Sequence, residues 1–83
     1  MEATTLNKRL GTVIRQHRLS LGMSQDAFAA FAGVHRTYMG GVERGERNVS
    51  LSNLNKIALA LETPLSSLFL EAERSQVGRV DGK

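Results

Sequence analysis

Residues 24–47, SQDAFAAFAGVHRTYMGGVERGER, restrict the fold more than any other part of this 83-residue chain. Ser24 is a good N-cap, Asp26 suits the positive end of a helix dipole, and Phe28, Ala29 and Ala32 make a compact inward face. Gly33 then closes the segment at a position where only a residue tolerant of φ > 0 turns the chain tightly. Val34, Met39 and Val42 resume the inward pattern. Two short helices, about 25–32 and 36–43, joined by a tight turn, satisfy all of these positions together. Ala29 is small where the two would cross.

The flanking sequence supplies a core for that pair. Leu6, Leu10, Val13, Ile14, His17 and Leu21 recur at three- and four-residue steps and predict a first helix over about 5–21. Thr4 or Thr5 would cap its start, and Gly22 its end. Ser50 caps a helix over about 51–61, whose stripe is Leu51, Leu54, Ile57, Ala58 and Leu61. Thr63-Pro64 has the form of a capped start with Pro at the first helical position, opening a fifth helix over about 64–70. The expected fold is therefore all-α: a compact five-helix domain over residues 1–70. Residues 71–83, with two Gly and charges of alternating sign, are expected to form a flexible tail.

Composition removes several classes of function. Without Cys there is neither a disulfide nor a thiolate metal site, and His17 and His35 alone are too few for a metal centre. No apolar run reaches the ~20 residues of a membrane span, and the first residues lack a signal-peptide core, so a cytoplasmic protein is expected. A phosphate-cradling Gly loop, a metal-ligand spacing and a plausible pair of catalytic acids are all missing from the sequence, which argues against an enzyme and against a cofactor. Charge is asymmetric. Residues 1–61 hold eight Lys/Arg against four Asp/Glu, residues 62–83 three against four. The basic excess lies with the paired helices, compatible with nucleic acid as partner.

The residues RLSLGMSQ (18–25), Gly33-Val34, RTYMGGVERGERN (36–48) and SLSNLNKIALAL (50–61) together resemble the Cro/phage-repressor, or Xre-type, helix-turn-helix family. The resemblance covers about Leu10 to Leu70. The RTY and ERGxRN elements look especially like the controller proteins of restriction–modification systems. The resemblance implies a sequence-specific transcriptional regulator acting as a homodimer on a palindromic operator in double-stranded DNA, with RNA polymerase a candidate further partner. It makes His35, Arg36, Thr37 and Tyr38 the opening of the recognition helix, which reaches base edges. Arg36 is the main candidate for specificity, because its planar fork matches guanine O6 and N7. Tyr38 could equally pack in the core. Gln25, Arg44, Arg47 and Asn48 are the expected phosphate contacts, which fix register without reading sequence. Arg18 and Glu43 are expected to form a structural ion pair that sets how the recognition helix is held.

Three features stand apart. Gly40 and Gly41 sit mid-helix, each costing ~0.5–1 kcal/mol relative to Ala. They either let the helix approach DNA closely or leave it soft until DNA binds. His35 stands where Ser, Asp or Asn is the usual cap, so the helix is expected to start less firmly. Leu65, Leu68, Phe69 and Leu70 exceed what one small core face hides and are the expected dimer interface. The competing function is an antitoxin-type module that binds a protein partner as well as DNA.

Overall fold

The computed structural model describes the backbone of residues 3–81 and side chains from 5 to 74. Five helices follow in order: α1 (Ala3–Ser20), α2 (Gln25–Ala32), α3 (Arg36–Glu43), α4 (Leu51–Leu61) and α5 (Leu65–Asp81). Among the described residues there is no strand. Helix α1 lies against both α5 and α3, while α2 bridges α3 and α4. The core draws on every helix: Leu10, Val13 and Ile14; Phe28 and Ala29; Met39 and Val42; Leu54, Ile57, Ala58 and Leu61; Leu68 and Ala72.

The first four helices end in one way. The residue after the last helical turn takes a left-handed conformation, and it and its successor donate back to the helix. At α3, Gly45 N–H donates to Val42 O (3.0 Å) and Glu46 N–H to Gly41 O (2.9 Å). Gly22, Gly33 and Gly45 occupy this position at three ends, and Glu62, with φ 54°, occupies it at the fourth. Each helix is thereby stopped hard, and the connections stay short enough to fix how α2 and α3 cross.

The structure corrects several expectations. Helix α1 is described from Ala3, so Thr4 and Thr5 lie within it and not at the expected cap position. Leu21 and Leu51 were expected on inward stripes, yet they are 49% and 73% exposed. Leu21 lies in the turn beyond α1 and Leu51 is the first residue of α4, so neither is aimed by a full helical turn. The Thr63 hydroxyl donates to Leu61 O (3.1 Å) rather than capping α5, and Pro64 O accepts from Ser67 and Leu68 N–H. The largest difference is α5, which does not stop at Leu70 but continues to Asp81, in place of the expected tail. Ala72, fully buried, extends the Leu65–Leu68 spacing by another turn, and that packing outweighs the polar composition. Residues 82 and 83 lie outside the described residues.

Candidate nucleic-acid interface

Helix α2 starts firmly because Ser24 Oγ accepts from Ala27 N–H at 3.1 Å. At α3, His35 Nδ1 accepts from Thr37 N–H at 3.3 Å, so the imidazole takes the place of the usual hydroxyl or carboxylate through a longer bond than the Ser24 cap makes. The turn between the helices is held by Gly33 and Val34 N–H, both donating to Ala29 O (2.9 and 3.0 Å).

A buried polar brace fixes α3 against the rest of the molecule. Arg18 on α1 grips Glu43 at the end of α3 in bidentate fashion, Nε to Oε2 at 2.7 Å and Nη2 to Oε1 at 2.9 Å. Its remaining Nη1 donates to Met23 O at 2.9 Å. The two side chains are only 8% and 3% exposed. The hydrogen bonds with Glu43 hold the Arg18 guanidinium above its ordinary range; burial pulls the other way, and the carboxylate charge adds to the rise. Gln25, opening α2, donates Nε2–H to the same Glu43 Oε1 at 3.0 Å. One carboxylate thus ties α1, α2 and α3 together.

The outward face of α2 and α3 encloses a shallow cleft of about 230 Å³, lined by Gln25, Asp26, Arg36, Thr37, Gly40 and Arg44. Arg36 and Thr37 are exposed at its rim, at the N-terminal end of α3. Arg36 Nη1 donates to Asp26 Oδ2 at 3.3 Å, and Arg44 Nε to Glu46 Oε1 at 3.0 Å. Arg47 is exposed, and among the described residues no carboxylate lies within 4.0 Å of it. Asn48 Oδ1 accepts from Asn7 Nδ2–H at 3.0 Å, which ties the loop to α1 and leaves the Asn48 amide hydrogens as donors.

Not every expected contact residue is placed alike. Arg36, Thr37, His35, Arg44, Arg47 and Asn48 are exposed around the α2–α3 face. Gln25 is half-buried with one amide hydrogen committed to Glu43. The ring of Tyr38 packs against the core, and its hydroxyl is shielded from solvent without a partner among the described residues. As folded here it offers nothing to a base edge. Leu68 is fully buried within the core, so it cannot belong to a dimer interface; Leu70 is 47% exposed, and Leu65 and Phe69 are half-buried. Arg9 has Nε and Nη1 buried without a partner among the described residues. His17 sits at the core edge, where Nε2 lies 3.0 Å from Glu71 Oε1 on α5.

Sequence reasoning passed over Gly11. A Cβ there would collide with the carbonyl oxygens of Val42 and Glu43, so the glycine lets α1 meet the end of α3 backbone to backbone. A glycine in the interior of an otherwise regular amphipathic helix was the available signal. The Gln25–Glu43 and Asp26–Arg36 pairs left no such trace, because their partners are far apart in sequence.

The helix-turn-helix family model HTH_3 matches residues 14–68, well over half of the chain. This chain belongs to the HTH_3 helix-turn-helix family. It is 47% identical over 55 residues to the control protein C.SmaI of Serratia marcescens, a match spanning 66% of each chain. It is 52% identical over 60 residues to the control protein C.BamHI of Bacillus amyloliquefaciens, covering 69% of this chain and 74% of that one. Among solved structures it is similar to the restriction–modification controller protein C.AhdI from Aeromonas hydrophila. There the TM-score is 0.71 at 44% identity, covering 74% of this chain and 92% of that one. This HTH_3 protein is accordingly a DNA-binding regulator that resembles restriction–modification controller proteins. Its relatives are control proteins and transcriptional regulators, not enzymes. Among the described residues, no helix is long and apolar enough to cross a membrane, and no three His, Cys, Asp or Glu cluster as a metal site would require.

Proposed function

We propose that this chain is the controller protein of a restriction–modification system, binding a palindromic operator as a homodimer. The observation that carries the reading is the presentation of Arg36 and Thr37. Both are exposed at the N-terminal end of a helix whose far end is locked by the Arg18–Glu43 brace. A base-reading side chain is useful only on a helix that cannot rotate, and the brace supplies that constraint. Arg36 reads guanine, Thr37 offers a hydroxyl or a methyl to its neighbour, and Arg44, Arg47 and Asn48 hold phosphates on either side. The reading places the protein in the cytoplasm beside a promoter, with RNA polymerase as a further partner.

Dimerisation is supported by apolar surface that one copy leaves uncovered. Leu51 and Leu59 on α4 and Leu70 on α5 are 73%, 70% and 47% exposed. With Leu65 and Phe69 half-buried on α5, they are the candidate interface residues. A two-fold dimer presents two α3 helices to half-sites about one helical turn apart.

Selection from a pool of random duplexes tests both parts, since it returns the half-site and its spacing together. Arg36→Ala should lose about 1–3 kcal/mol of discrimination for the selected site while keeping salt-sensitive, sequence-independent binding. A variant that discriminates as well as the parent overturns the assignment of α3 as the reading helix. Recovery of single, unpaired half-sites overturns the dimer.

A further inference from the structure

The paired glycines of α3 have different surroundings, and the difference points to a function for one of them. A Cβ built on Gly41 would lie 2.5 Å from Arg47 Cγ, 3.0 Å from Nε and 3.3 Å from Cδ. At Gly40 the nearest atoms are Arg44 Nη1 and Gln25 Oε1, both at 3.2 Å, the far ends of side chains that can give by a few tenths of an ångström. Arg47 has no such freedom at the point of contact, because Cγ is one bond beyond its own Cβ. The loop carrying it is also tied down, by Glu46 N–H to Gly41 O and by the Asn7–Asn48 amide pair. An added methyl at 41 therefore forces the whole Arg47 side chain into another rotamer.

Backbone conformation does not call for glycine at 41. It lies within α3 and is absent from the positive-φ positions, so alanine would fit the helix and favour it. A glycine that weakens the helix and frees no strained backbone needs another reason. Arg36 and Arg44 are each aimed by a carboxylate, whereas Arg47 has none among the described residues, so its direction comes from lying across Gly41. We propose that Gly41 is a positioning residue for DNA binding: its missing side chain is the groove that lays Arg47 along α3 and aims its guanidinium at a backbone phosphate. The proposal rests on the reading of Arg47 as a phosphate contact.

The experiment compares wild type, Gly41→Ala, Gly40→Ala, Arg47→Ala and the Gly41→Ala/Arg47→Ala double variant on one fixed duplex recovered by selection. Affinity is measured across a series of salt concentrations, and melting temperature alongside. Arg47→Ala should flatten the salt dependence by about one unit per protomer with sequence preference unchanged. Gly41→Ala should give the same flattening and the same fold-loss of affinity, Gly40→Ala a smaller one, and the double variant no more than Arg47→Ala. Because alanine favours the helix once Arg47 is truncated, the double variant should also melt above Arg47→Ala. That comparison holds even if Gly41→Ala alone folds poorly. A wild-type salt slope for Gly41→Ala beside a flattened one for Arg47→Ala overturns the groove and leaves the phosphate contact standing. A double variant that melts below Arg47→Ala overturns the groove as well, since the space at 41 would then serve another group. A wild-type slope for Arg47→Ala overturns the phosphate reading itself.

Discussion

Truncating Glu43 should be among the most damaging single changes outside the residues expected to touch DNA. The carboxylate accepts three hydrogen bonds, two from Arg18 and one from Gln25, and is 3% exposed. In Glu43→Ala, Arg18 keeps only its bond to Met23 O and remains a buried cation without a counter-charge. Removing one partner of a buried pair costs about 3–5 kcal/mol. A domain of this size has about 4–12 kcal/mol in all, so the variant should lose between about a quarter and all of its stability. Urea denaturation followed by the helical circular dichroism signal measures the loss as a shift of midpoint at constant slope. Glu43→Leu, Arg18→Met and the Arg18→Met/Glu43→Leu double variant form a cycle with the parent. The apolar pair should recover to within about 1–2 kcal/mol of the parent or exceed it, because neither charge is then desolvated. Discrimination by Arg36 should not recover with it, because the bidentate geometry that orients α3 is gone. Arg18 is raised above its ordinary range, so its share of the brace is fully present below that range and is lost only as pH climbs past it. The coupling should accordingly stay constant from about pH 6 to 9. A coupling under about 0.5 kcal/mol would refute the claim that the pair braces α3.

The other expectations are simpler. Glu62→Gly relieves a left-handed residue that costs ~1–2 kcal/mol with a side chain, less ~0.4–1 kcal/mol of extra unfolded-chain entropy, so calorimetry should show a higher melting temperature. Gly11→Ala places a methyl against the Val42 and Glu43 carbonyls and should destabilise by about 1–3 kcal/mol, although alanine favours a free helix. Asp26→Asn breaks an exposed pair worth under about 1 kcal/mol, so stability should hardly move. DNA affinity should rise in that variant, measured by fluorescence anisotropy, because Arg36 no longer has to leave a carboxylate; weaker binding would mean that Asp26 itself contacts DNA.

What the sequence made legible was whatever depends on near neighbours. The bounds of α2 and α3 follow from Ser24, Gly33 and the spacing of Phe28, Ala29, Met39 and Val42, all within one turn of the groups they organise. The length of α5 was not legible, because residues 71–81 have weak local preference and their helix is anchored through Ala72 by packing against distant elements. Leu68 was misassigned for a related reason. A four-residue apolar cluster shows that more than one surface is covered, but not which member faces inward. At the interface, residue types were legible and their commitments were not. Gln25 has the right chemistry for a phosphate, yet folding gives one of its hydrogens to a glutamate 18 positions away.

These commitments bear on how the face can work. Arg36 and Arg44 are each paired with an exposed carboxylate in the DNA-free protein, and both pairs lie in high dielectric, where exchanging a carboxylate for a guanine or a phosphate costs little. The brace beneath them is the reverse case, buried and multiply hydrogen-bonded, where exchange is expensive. Polar interactions in this small domain thus divide by depth: those that must move on binding are exposed and weak, and those that must not are buried and strong. The division predicts that charge changes at positions 26 and 46 alter affinity and its salt dependence with little effect on melting, whereas changes at 18, 25 and 43 alter melting and discrimination together. An Asp26 or Glu46 variant that unfolds the protein, or a Gln25 variant that changes salt slope alone, would contradict it.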